Sequence, residues 1–216
     1  MTVQSPIPDY SAARQAMVDG QLRPQGVNDP AVIEAMSLVP REQFVPEDVR
    51  PLAYSDRAVP LGGGRMLGPP EALGLLLTAI GPRRGERGLV VGAGTGYAAA
   101  VVAQMGIDVI ALESSGELAA VGRRAGITVV EGALEAGHDK GAPYDFVLID
   151  GAVAFVPDAI VEQLADGGRI GFARVDRGIT RLMFGRKAAG SLGFHSLADV
   201  GVPALPGFTR PRAFTF

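Results

Sequence analysis

The 216-residue chain carries 20 Lys and Arg against 23 Asp and Glu, a net charge of -3, with 47% hydrophobic residues. That balance matches neither a basic nucleic-acid binder nor an acidic disordered tail, so nucleic acid is not expected as a partner. Cysteine is absent, which excludes disulfides, thiolate catalysis and Cys-based zinc sites and fits a reducing compartment, by default the cytoplasm.

The length suits one domain with a short appendage. Residues 1–6 lack a basic segment followed by an apolar run, and no apolar stretch reaches the roughly 20 residues of a bilayer span. Neither a signal peptide nor membrane contact is expected. Up to about Pro60 the chain reads as short helices: Asp29 followed by Pro30 gives an N-cap and a first-turn proline, with Val32, Ile33 and Met36 on one face. Pro40 and Pro46 bracket Arg41-Glu42-Gln43-Phe44-Val45. The run Gly62-Gly63-Gly64 marks a flexible or closely packed loop before a helix opened by Pro69, Pro70 and Glu71 and ended near Gly81-Pro82.

From Gly88 onward short apolar runs alternate with amphipathic segments, the signature of parallel strands joined by crossover helices. Strands are expected near 89–91, 109–112, 128–130, 146–149 and 170–173, with helices after Gly96, Ser114 and Val156. Segments 180–184, 194–200 and 213–216 are candidates for antiparallel strands that close the sheet. The expected fold is α/β and Rossmann-like, a mostly parallel twisted sheet with helices on both faces. Its domain spans 61–216, with a helical N-terminal extension over 1–60.

The run Leu89-Val90-Val91 ends in Gly92-Ala93-Gly94-Thr95-Gly96-Tyr97 and a helical segment follows, so the glycines occupy a strand-to-helix turn. Glycine there lets backbone approach a ligand, and free amides at the helix start offer hydrogen bonds. Twenty-one positions after Gly92, at the expected end of the second strand, Glu113 can accept hydrogen bonds from both hydroxyls of a ribose. A dinucleotide motif would place its third glycine at Tyr97, so the tighter G-x-G-x-G suits a methyltransferase better. A glycine turn that merely packs a helix on a sheet is the alternative.

The order of segments resembles the protein-L-isoaspartate (D-aspartate) O-methyltransferase family, which repairs isomerised aspartyl residues with S-adenosylmethionine. The likeness begins at Met17-Val18-Asp19-Gly20-Gln21-Leu22. It runs through Val39-Pro40-Arg41-Glu42-Gln43-Phe44-Val45-Pro46 and Ala53-Tyr54-Ser55-Asp56-Arg57 to the glycine turn, then Pro143-Tyr144-Asp145 and Leu164-Ala165-Asp166-Gly167-Gly168-Arg169. It implies a class I methyltransferase that binds S-adenosyl-L-methionine at Gly92, Ala93, Gly94, Thr95, Gly96 and Glu113. Isomerised proteins or peptides would be substrates, with a loop containing Gly64, Arg65, Leu67 and Gly68 over the acceptor. Three positions depart from the family: its active-site serine falls at Gly68, the acidic residue before the glycine turn is Val90, and a Gly-Asp-Gly becomes Gly132-Ala133-Leu134. These departures motivate one alternative, a non-catalytic regulatory relative. Asp150, where the family commonly has threonine, motivates another, a methyltransferase for a different substrate.

Asp150 ends the apolar run 146–149 and is the candidate catalytic residue, holding a substrate amide or hydroxyl or acting as a base. Capping the next loop is the competing reading, and Arg65 is a cation that can offset its charge. Asp145 reads as a turn or cap residue, Ser114 and Ser115 as helix caps, and Arg83-Arg84 and Arg123-Arg124 as solvated charges. His138 and His195 stand far apart at no metal spacing, so no metal is expected.

Overall fold

The computed structural model describes residues 9–208; the candidate strand at 213–216 lies outside them. Helix α1 (Tyr10–Met17) is capped by the Asp9 carboxylate, which accepts from the Ser11 and Ala12 amides. Asp29 does the same for α2 (Pro30–Leu38), accepting from Ala31 at 2.9 Å and Val32 at 3.2 Å with Pro30 in the first turn. Two 3-10 turns, Arg41–Phe44 and Glu47–Leu52, fill the proline-bracketed stretch that follows.

The glycine run, expected as a loop, is the turn of an antiparallel hairpin of β1 (Val59–Gly62) and β2 (Arg65–Leu67). Residues 62–64 all adopt positive φ, while Val59, Leu61, Arg65 and Leu67 turn inward with period two. Too few residues alternate here for the strands to stand out in the sequence. Helix α3 (Pro70–Ile80) ends on Gly81 in the left-handed conformation that favours glycine at this position.

The larger sheet is built from β3 (Arg87–Val91), α4 (Tyr97–Gln104), β4 (Asp108–Glu113), α5 (Gly116–Arg124), β5 (Val129–Glu131), β6 (Tyr144–Val153), α6 (Asp158–Glu162), β7 (Leu164–Asp176), β8 (Ile179–Ala188) and β9 (Ser191–Asp199). Strand order is β5-β4-β3-β6-β7-β8-β9, with β3 to β7 parallel and the last two strands antiparallel. Strands β6, β7 and β8 run well beyond the expected 146–149, 170–173 and 180–184. In β7 the Gly167-Gly168 pair, which precedes the expected strand at 170–173, sits where the register shifts between the pairings Tyr144↔Leu164 and Phe146↔Arg169. In β6 a second irregularity lies between Leu148 and Ala152, and Asp150 falls inside it rather than at the strand end.

Period-two alternation divides the core. Val90, Phe146 and Leu148 pack on the side of α2, α3 and α4, whereas Leu89, Val91, Val147 and Ile149 pack beneath Ile160, Leu205 and Phe208. Both faces of the central strands are thereby covered, as a parallel sheet requires. Among the described residues no helix is long and apolar enough to cross a membrane.

Candidate active site

Strand β3 lies between β4 and β6, the point from which the connections diverge, and ligands of open α/β sheets bind beyond the carboxyl ends of such strands. Gly92, Gly94 and Glu113 converge there from β3 and β4, and Asp150 arrives from β6. Gly92 and Gly94 have φ of 76° and 57°, so glycine is needed for the turn itself. Thr95 is tied inward, its hydroxyl donating to the Phe44 carbonyl at 2.6 Å. All five residues from Gly92 to Gly96 are buried.

Glu113 is fully buried, and both carboxylate oxygens are bonded. Oε2 accepts from the Gly94 amide at 2.7 Å, and Oε1 accepts from the amides of Ser114 at 2.8 Å and Ser115 at 3.0 Å. Arg65 completes the set: Nη1 lies 2.5 Å from Glu113 Oε1 and Nη2 donates to the Gly92 carbonyl at 3.0 Å. The hairpin that carries Arg65 also sets Leu61 against Gly94.

A C-terminal strap closes the other side. The Leu205 amide donates to the Ala152 carbonyl at 2.9 Å, and the Ala152 amide to the Pro203 carbonyl at 2.8 Å. The Leu205 side chain rests on Gly92 so closely that a Cβ there would lie 2.7 Å from it, and it also packs against Gly151.

Arg41 is almost completely buried, donating from Nε to the Ala53 carbonyl at 2.7 Å and from Nη2 to the Gly68 carbonyl at 2.5 Å. Its guanidinium lies 4.7 Å from the centroid of the Tyr97 ring, whose buried hydroxyl has no hydrogen-bond partner among the described residues. Burial lowers the Arg41 pKa, opposed by Tyr97 and Asp150. Asp150 is the counter-charge. Burial pushes its carboxyl up to about 6 while Arg41 and Arg65 pull it down and Glu113 raises it further. A cavity of about 10 Å³ joins Asp150 to Arg41, Gly68 and Tyr97, and another of about 10 Å³ joins it to Arg65, Gly68 and Leu205. Each has room for about one water.

Gly92, Gly94, Glu113 and Arg65 thus meet directly, and Leu67, Gly68 and Asp150 border the adjoining cavities. Gly64 stands apart on the exposed hairpin tip, and Ala133 is exposed beyond β5. Asp145 caps the opposite end of the sheet, accepting from the Arg87 amide at 2.8 Å. Ser115 caps α5 through a 3.4 Å bond from the Leu118 amide. His195 packs 5.2 Å from the Phe184 ring, and among the described residues no three potential metal ligands cluster. Sequence reasoning missed Leu205, whose contact with Gly92 no local pattern signals, and the part played by Arg41, which lies in the Val-Pro-Arg-Glu string.

Residues 12–200 match the model of the protein-L-isoaspartate(D-aspartate) O-methyltransferase family. The chain belongs to that family. Protein-L-isoaspartate O-methyltransferase of Methylorubrum extorquens is 40% identical over 177 residues, covering 78% of this chain and 77% of that protein. Protein-L-isoaspartate O-methyltransferase 2 of Marinobacter nauticus is 43% identical over 171 residues, covering 75% and 77%. Among solved structures, a protein-L-isoaspartate O-methyltransferase superposes with a TM-score of 0.78 at 23% identity over 90% of this chain and 66% of that one. A relative from Plasmodium falciparum, solved with S-adenosyl-L-homocysteine, gives 0.75 at 19% identity over 89% and 97%. The Rossmann-like methyltransferase fold is common to all three. Membership makes Gly68 a departure of interest, because among the described residues a Cβ added there would meet nothing within 4 Å.

Proposed function

We propose that this chain transfers a methyl group from S-adenosyl-L-methionine to the carboxylate of isomerised aspartyl residues in proteins or peptides. The observation that carries the reading is a buried carboxylate, Glu113, set over a positive-φ glycine turn in a member of this family. The site fits the cofactor in kind: Glu113 offers acceptors for ribose hydroxyls, the Gly92 carbonyl an acceptor for an ammonium group, and residues 92–96 a backbone without bulk. The cofactor supplies an activated methyl group on a sulfonium centre.

The acceptor carboxylate is already a nucleophile, so the residues of this chain contribute placement and the exclusion of water. Arg41 fixes the Gly68 carbonyl and with it the loop over the acceptor side. Asp150, within the β6 bulge, is placed to accept a hydrogen bond from a substrate amide. The absence of cysteine and the lack of a membrane-length helix among the described residues support a cytoplasmic site of action, and neither nucleic acid nor a membrane enters the reading.

A second reading, a regulatory relative that keeps the fold, is favoured by Gly68 in place of the family serine. Calorimetric titration with S-adenosylmethionine, followed by methyl transfer to an isoaspartyl peptide and to its normal aspartyl counterpart, separates the two. Transfer to the isoaspartyl peptide alone is expected. Binding without transfer would install the regulatory reading, transfer to both peptides would remove repair specificity, and no binding at millimolar cofactor would end the proposal. Glu113→Ala is expected to weaken binding.

A further inference from the structure

We propose that Arg65 and Leu205 act as an internal ligand of the cofactor site, so that cofactor enters only when the hairpin at 59–67 and the strap at 203–205 withdraw. The inference rests on the methyltransferase reading. Both acceptor functions assigned to the cofactor are already in use: the Arg65 guanidinium spans the Glu113 carboxylate and the Gly92 carbonyl, meeting one with each terminal nitrogen. Leu205 rests on Gly92 of the same turn. Between them the space bordered by Arg65, Asp150 and Leu205 is about 10 Å³, whereas pockets for ligands of this class run to roughly 300 Å³ or more.

Withdrawal of the two covering pieces draws Val59, Leu61 and Leu67 out of one core cluster and Leu205 out of the other, while the strand pairing of the large sheet is kept. The hairpin forms its own two-stranded sheet, separate from the seven-stranded one, and its turn consists of glycines at positive φ. The strap is held by its two backbone bonds to Ala152 and by a 3.1 Å bond from the Val202 amide to the Thr180 hydroxyl. Arg65 is suited to the part because its cationic N–H groups satisfy the same oxygens that hydroxyl and ammonium donors would. Without it, Glu113 keeps the amides of Gly94, Ser114 and Ser115 and the Ser114 hydroxyl at 3.3 Å.

A site closed most of the time binds with an apparent Kd raised by the reciprocal of its open fraction, about tenfold to a hundredfold for an open population of about 1–10%. The test is calorimetry with S-adenosyl-L-homocysteine on the full chain and on Arg65→Met and Leu205→Ala, with hydrogen exchange on the unsubstituted chain with and without ligand. Each substitution is expected to tighten binding at least about tenfold, and ligand is expected to speed exchange across 59–67. Leu205→Ala trims a strap side chain and keeps the test available if Arg65→Met fails to fold. Equal affinities across the three proteins would overturn the proposal and leave the methyltransferase reading standing. Weaker binding by Arg65→Met would also overturn it, by making Arg65 a cofactor-holding residue. No binding by any of them would remove the methyltransferase reading, and this inference with it.

Discussion

The Arg65–Glu113 pair lends itself to a double-mutant cycle comprising Arg65→Met, Glu113→Gln and the two combined. Glu113 is fully buried, Arg65 is 8% exposed, and their nearest atoms are 2.5 Å apart. Removing one member of a buried ion pair costs about 3–5 kcal/mol, because the survivor is left as an uncompensated charge. The two halves of this pair are unequal. Without Arg65, Glu113 keeps the amides of Gly94, Ser114 and Ser115, so Arg65→Met falls at about 2–3 kcal/mol. Without the carboxylate, Arg65 keeps the Gly92 carbonyl, and a glutamine turns donor hydrogens toward amide donors, so Glu113→Gln falls at about 4–5 kcal/mol. The double variant holds no stranded charge and should fall short of the sum by about 2–3 kcal/mol. Urea unfolding at pH 7 reads the cycle, since with an m-value of about 2 kcal/mol/M the Arg65→Met midpoint moves down by about 1–1.5 M. Additive single effects, with a coupling under about 0.5 kcal/mol, would refute the reasoning by showing that the side chains do not compensate one another.

Two further predictions concern the acceptor side. The Asp150 carboxyl is raised by burial from 3.8 to about 6, so between those values the folded chain binds more protons than the unfolded one and stability falls as pH rises through that window. Asp150→Asn should therefore match the parent near pH 4 and exceed it above pH 6 by on the order of 1–3 kcal/mol; Tm values that diverge equally at all pH values would contradict this. Gly68→Ser meets open space at Cβ and should change stability by less than about 0.5 kcal/mol while raising the rate of isoaspartyl methylation. A rate assay beside a thermal melt checks both, and a folded variant with no gain in rate would show that the hydroxyl is not what this loop lacks.

The parallel strands were legible because each is a short apolar run feeding a turn, and the caps at Asp29 and Ser115 because capping is local chemistry. The glycine turn and Glu113 could be read for the same reason: strand end, turn and second strand end recur at a spacing set by one βαβ unit. What escaped were features fixed by partners distant in sequence. Gly167-Gly168 lies ahead of the apolar run at 170–173, yet the pairing of β7 with β6 carries the strand back through it across a register shift. The sequence marks Arg65 as a cation able to offset Asp150, but its choice of Glu113 as partner follows from how the hairpin docks 48 residues upstream. Leu205 had no signal of its own, because an apolar residue beside prolines and glycines gives no indication of which surface it will cover.

The hydrogen bond from the Thr95 hydroxyl to the Phe44 carbonyl carries a consequence for the division of the chain at residue 60. The glycine turn borrows an acceptor from a segment formed 51 residues earlier, and the Tyr97 ring beside it borrows Arg41 from the same segment. A truncation that keeps every strand of the large sheet but begins after Phe44 would strip two supports from the turn proposed to hold the cofactor. The 3-10 turn Arg41–Phe44 is thus the mount on which that turn rests, so the unit that shapes the proposed cofactor site is larger than the Rossmann-like sheet that gives the chain its class.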